Sequence, residues 1–232
     1  MRFARVLFTD MRYQFKYGFY FLYALVSMVY AAILLLIPEA VRREAAAVII
    51  WSDPAALGFF FIGGMVLLEK GEGLHSYLSI TPVTTRDYVA AKALSLSIIA
   101  TLAGVAVAAL GLGGRVNYPL LAAALLAGAA IFTLFGLIVG VAARSVNHYL
   151  VLGIPAGIVL MGSSVAYLLG VNHPLLAAFP ATLLLRLLSG AVGLAMPGSA
   201  AAAAAGLVLW LLPAFWLANK SFASYLRKTG VL

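Results

Sequence analysis

No cysteine occurs in the 232 residues, so the chain offers no disulfide, no thiolate metal site and no thiol nucleophile. Charge is nearly as scarce. Only 9% of residues are Asp, Glu, Lys or Arg, against about a quarter in a soluble globular domain. A chain so poor in charge has too little to coat a water-facing surface. The phosphate loop G-x-x-x-x-G-K-S/T is absent, which excludes that kind of ATPase site from this sequence. Segments of about 10 residues with alternating hydrophobicity, the mark of a membrane barrel, are absent too. The three histidines, His75, His148 and His173, lack metal-ligand spacing, and no acidic cluster accompanies them.

What is present is apolar. Hydrophobic residues make up 65% of the chain and the mean hydropathy is +1.09. A spanning helix needs roughly 20 mostly apolar residues. Six such runs are predicted, over residues 18–37, 51–68, 88–112, 118–143, 149–169 and 200–217. The 22 glycines and the many alanines suit close helix packing in lipid. The fold class expected is therefore all-α: one polytopic transmembrane domain over residues 1–232, with no second domain.

Three of the stretches outside the runs are distinctive. Residues 1–17 read as an amphipathic interfacial helix, with Phe3, Val6, Leu7 and Phe8 toward lipid and Arg2, Arg5 and Arg12 toward headgroups. Its basic stretch is too long and aromatic for a cleavable signal peptide, and the next apolar run reaches spanning length. Residues 171–198 are apolar but broken by Pro174, Pro180, Arg186 and Pro197, which predicts a short helix over 180–194, dipping into the membrane or lying at its surface. A full span there would bury Arg186 at a cost of about 3 kcal/mol on insertion scales.

The third stretch, 69–82, is polar and joins the second and third runs. Leu74, Tyr77, Leu78 and Thr81 follow helical spacing, Pro82 ends the pattern, and Thr84 or Thr85 caps the next span with Asp87 at its positive end. One reading makes it a solvated connector. Another makes it a handle for a soluble partner.

Orientation follows from the basic residues. One side takes 11 (Arg2, Arg5, Arg12, Lys16, Lys70, Arg86, Lys92, Arg144, Lys220, Arg227, Lys228) and the other 4 (Arg42, Arg43, Arg115, Arg186), which puts both termini in the cytoplasm of a cell-membrane protein. The net charge of +8 is explained by this clustering beside hydrophobic runs rather than by nucleic-acid binding.

The order Gly63-Gly64, Leu68-Glu69-Lys70-Gly71-Glu72-Gly73-Leu74, Leu78, Thr81-Pro82-Val83, Tyr88, Lys92 resembles the ABC-2-type permeases, the membrane-spanning subunits of ATP-binding-cassette transporters. In that family the second span ends in a glutamate. A charged glycine turn follows, then a leucine-containing helix, a Thr-Pro or Ser-Pro step and a lysine entering the third span. The Glu-Lys-x-Glu form, with Tyr17-Gly18-Phe19 before the first span, looks like the fluoroquinolone and multidrug export permeases. The resemblance implies that 69–82 is a coupling helix held by a separate ATP-binding subunit. Glu69, Lys70, Glu72, Gly73, Leu74, Leu78, Thr81 and Pro82 are then coupling residues. Two copies, or one copy and a paralogous permease, would form the pathway. ATP would sit on the partner, and this chain would need no cofactor and carry no catalysis.

Lesser candidates remain. Arg144 and Asn147 are a second coupling contact or a plain polar turn. Phe19, Tyr23, Asp53 and Phe60 are pathway candidates, with Asp53 alternatively capping the outer end of the second span beside Pro54. Gly162-Ser163-Ser164 reads as a helix contact, since no histidine lies near enough to act as base. The spans look essentially uncharged. That favours an amphipathic, aromatic or lipid-like cargo over an ion-coupled secondary transporter, and a scaffold protein would not need the charged loop.

Overall fold

The computed structural model describes residues 2–171 and 173–230, with only the backbone of Arg2, Tyr77, Leu78 and Ser79. The chain is 85% helix, with no strand among the described residues. An amphipathic α1 (Arg2–Lys16) turns at Gly18 into α2 (Phe19–Leu36). The chain then runs through α3 (Glu39–Gly71), α4 (Thr85–Leu112), α5 (Tyr118–Ala142), α6 (Val146–Leu168), the short α7 (Pro174–Ala177) and α8 (Pro180–Ala191), and α9 (Ala200–Lys228). Helices α2 to α6 and α9 are long and apolar enough to cross a membrane, which confirms the expected fold class. They alternate in direction. One end of the bundle carries α1 and the last turn of α9, and the far end carries α7 and α8.

The second span is longer than its apolar run. Residues 39–50, which fall between the first two predicted runs, are helical and continue into α3. Arg42, Arg43 and Glu44 lower the hydropathy there, although Ala46, Ala47, Ile50 and Trp51 are buried. Pro54 has no N–H to continue the α ladder, and Asp53–Gly58 widens into a π turn. The Trp51 indole N–H donates to the Ala181 carbonyl at 3.1 Å, and the Tyr149 hydroxyl to the Phe59 carbonyl at 2.6 Å. The last span also exceeds its apolar run of 200–217, continuing to Lys228 as the buried Ala218, Phe222 and Leu226 face the bundle.

The broken segment between α6 and α9 is enclosed. Its 12-residue helix α8 is too short to span, and nine of those residues are buried, including Leu184, Leu187 and Leu188. It packs on α5, α9, α6 and α3. Gly128 of α5 makes room: a Cβ there would come within 2.6 Å of the Leu184 side chain. Arg186 escapes the apolar core by donating to the Pro197 carbonyl. His173 accepts from the Leu175 N–H and caps α7.

A second apolar cluster, with Tyr23, Ile62, Met65, Leu96, Leu137 and Phe222, fills the α1 end. At this end the chain passes from α3 to α4 through the elbow, residues 72–84. It consists of a glycine turn, a 3-10 helix (Leu74–Ile80) and the bend at Thr81-Pro82. The α-helical spacing expected for it is thus realised as a tighter 3-10 turn. Thr84 ends the elbow with a capping box: its hydroxyl accepts from the Asp87 N–H while Asp87 accepts from the Thr84 N–H.

Candidate functional site

The final turn of α3 carries adjacent charges with different fates. Glu69 is buried, 5% exposed. Its carboxylate accepts from the Lys92 ammonium and the Tyr88 hydroxyl, and lies 3.3 Å from His75 Nε2. Lys92, on the first turns of α4, also donates to Asp10 of α1. Asp10 in turn accepts from the Ser95 hydroxyl and, at 2.9 Å, from the Gln14 amide. His75 faces Tyr88 OH at 3.2 Å and Tyr225 OH of α9 at 3.4 Å. Tyr88 stacks on Phe222 with 4.2 Å between ring centroids. Buried charges are tolerated when paired and hydrogen-bonded. Here that condition ties α1, α3, the elbow, α4 and α9 into one polar knot.

Lys70 takes a different route. Its ammonium donates to the carbonyls of Gly140, Val141 and Ala143 at 3.0, 2.6 and 2.8 Å. It thereby closes the C-terminal end of α5, where unpaired carbonyls attract a cation. Glu72 is exposed yet held by the Tyr17 hydroxyl and by Tyr13 OH at 3.3 Å. Burial, and then the carboxylates Glu69, Glu72 and Asp10, push the Tyr13 phenol above its ordinary range, so it stays a donor.

Gly73 turns the chain with φ +69°, a left-handed value that suits glycine. Leu74 is half-buried behind it, while the Leu78 side chain lies outside the described residues. Thr81 and Pro82 face solvent, as does Ile80, 79% exposed at the tip of the elbow. Arg144 and Asn147 are exposed in the α5–α6 turn at the same end. That turn is organised locally: the Ser145 hydroxyl accepts from the His148 N–H, and His148 Nδ1 from the Arg144 N–H.

The proposed pathway residues do not converge on one cavity. Phe19 and Tyr23 both pack edge-on against Phe61, with centroids 5.9 and 5.1 Å away. Phe60 turns the other way, into an apolar groove of about 620 Å³ against Ile154, Gly157 and Met161 of α6. Asp53 is no helix cap, because α3 runs straight through it. It is buried, 4% exposed, with Oδ2 unpartnered, as are the Tyr23 and Thr133 hydroxyls.

The expectation of uncharged spans is therefore corrected: Asp53, Glu69 and Lys92 all lie inside spanning helices. Sequence reasoning placed Glu69, Tyr88 and Lys92 in the right region but missed Asp10, Gln14, Ser95 and the part played by His75. A signal existed, since Asp10 and Gln14 share one helix face, as do Lys92 and Ser95. Among the described residues no group of His, Cys, Asp and Glu has the makings of a metal site.

Six apolar helices, with a polar knot at one end of the bundle, define a multi-pass helical membrane protein. A family profile described as the fluoroquinolones export permease protein family matches residues 1–229. The chain belongs to that family. It is 35% identical over 156 residues to proteins of two Mycobacterium tuberculosis strains, each named as a fluoroquinolones export permease protein. The matched region spans 63% of this chain and 63% of the length of those relatives.

Proposed function

We propose that the chain is the membrane-spanning subunit of an ATP-driven exporter, moving an amphipathic, aromatic molecule outward while a separate ATP-binding-cassette subunit supplies the motor. The family and the names of its relatives support export, and those relatives bring fluoroquinolones forward as cargo. The observation that carries the reading is the elbow. Its rear is fastened to four helices, by His75 to Glu69, Tyr88 and Tyr225 and by Glu72 to Tyr13, whereas Ile80, Thr81 and Pro82 are exposed. A push on such an element reaches α3, α4, α9 and α1 together instead of being absorbed by a slack loop.

In this reading the α1 end is cytoplasmic, where the excess of Lys and Arg belongs. Glu72, Gly73, Leu74, Thr81 and Pro82 shape or present the contact with the motor, joined by Ile80. Glu69 and Lys70 act from behind by holding the elbow to α4 and α5. Arg144 and Asn147 form the lesser contact beside it. Two permease chains, identical or paralogous, enclose the path, with one of the apolar faces of α2, α6 or α9 between them. Phe19, Tyr23 and Phe60 offer rings to a planar cargo.

The test is to co-express the chain with its ATP-binding subunit and purify the pair, then measure extrusion from proteoliposomes. Ile80→Asp should abolish co-purification and cargo-stimulated ATP hydrolysis while the permease itself still folds. Undiminished association would remove the elbow from the interface. Extrusion that survives without ATP but stops when the ion gradient collapses would replace the motor with ion coupling, and would turn attention to Asp53.

A further inference from the structure

A second feature of the α1 end lies beside Lys70. A cavity of about 820 Å³ opens between the end of α5, the α5–α6 turn and the last turns of α9. Lys70, Arg144, Lys220 and Lys228 line it, and no Asp or Glu does. The Lys70 ammonium is consumed by its three carbonyls. Arg144, Lys220 and Lys228 are exposed, and none has an acidic partner among the described residues. The hydroxyls of Ser221 and Ser224, spaced along one face of α9, stand between these cations.

The floor is different in kind. Ile138, Val141 and Leu217 line the same cavity, Leu217 about one turn deeper along α9 than Lys220 and Ile138 about one turn inside the end of α5. Lys220 lies over the Trp216 ring at 4.9 Å, so an aromatic residue marks the level at which cations give way to apolar side chains. A pocket with cations and hydroxyls above and hydrocarbon below matches a molecule with an anionic head and an acyl tail. A free phosphate would use only the upper half. An acidic protein surface would have no use for the floor.

We propose that this cavity is a specific site for an anionic phospholipid, its phosphate held by Lys220 and Lys228 and one acyl chain along Ile138, Val141 and Leu217. The bound lipid would brace α9 against the end of α5, where Lys70 already closes that helix. The inference does not depend on the exporter reading.

Native mass spectrometry of the full-length chain, equilibrated with dioleoyl-phosphatidylglycerol or dioleoyl-phosphatidylcholine, tests it. The wild type should retain the anionic lipid in preference to the zwitterionic one. Each basic residue near a membrane surface contributes about 1 kcal/mol, or roughly fivefold. Lys220→Gln with Lys228→Gln should therefore weaken retention by about 25-fold, while the Lys→Arg pair keeps it. Should the Gln pair fail to fold, Leu217→Trp fills the floor and should lose the lipid with the cations intact. Equal retention of both lipids, or retention unchanged by Leu217→Trp, overturns the proposal. So does competition by free glycerol phosphate as strong as by the intact lipid. Variants that keep the lipid but lose a co-purified ATP-binding subunit would make the cavity a protein contact and also overturn it.

Discussion

Lys92 stands between two carboxylates, Asp10 and Glu69, and this two-to-one ratio decides how single substitutions behave. Removing the lysine leaves two buried carboxylates with no ammonium, and breaking a buried ionic group in this way costs about 3–5 kcal/mol. Neutralising Glu69 leaves Lys92 still paired with Asp10, while a Gln amide still has an oxygen to accept from Tyr88. That change should cost about 2 kcal/mol, the worth of a hydrogen bond to a charged group. Thermal unfolding in detergent should therefore show a large fall for Lys92→Met and a smaller one for Glu69→Gln. Equal falls would mean that the knot does not share charge as its geometry states. Glu72, exposed and met by two tyrosine hydroxyls, lies outside this balance.

At the scale of elements, the elbow depends on two local devices. Gly73 adopts a left-handed backbone, which costs an L side chain about 1–2 kcal/mol. Thr84 starts α4 with a capping box, and losing such a cap costs about 1 kcal/mol. Gly73→Ala and Thr84→Ala should each lower stability by those amounts, read as a fall in melting temperature, and expose the elbow to limited proteolysis. Melting and cleavage both unchanged would show that neither residue sets the boundary. The Thr84 cap was legible in the sequence because capping is decided within four residues. Most spans were legible because twenty apolar residues in water have no other fate. The first half of α3 was not, because Arg42, Arg43 and Glu44 hide the buried Ala46, Ala47 and Ile50 from any averaged hydropathy. The knot was hidden for a related reason: Asp10 and Lys92 are 82 positions apart, and only the packing of α1 against α4 brings them together.

For the molecule as a whole, the question is which end faces the cytoplasm, since a motor hydrolysing cytoplasmic ATP can push only from there. The geometry makes the answer all-or-none. The elbow, the α5–α6 turn, α1 and the end of α9 share one end, and the turn from Gly113 to Asn117 lies at the other. The absence of cysteine makes this directly measurable, because any single cysteine introduced is the only thiol in the chain. Asn117→Cys, Arg144→Cys and Thr229→Cys place that thiol at one far-end turn and two α1-end positions. In intact cells a membrane-impermeant maleimide should label the first and spare the other two. In opened membranes it should label all three. The reverse pattern would turn the elbow away from ATP, and the ATP-driven reading would fall with it. The lipid cavity would survive such a reversal, because its cations and its apolar floor do not depend on which leaflet they meet.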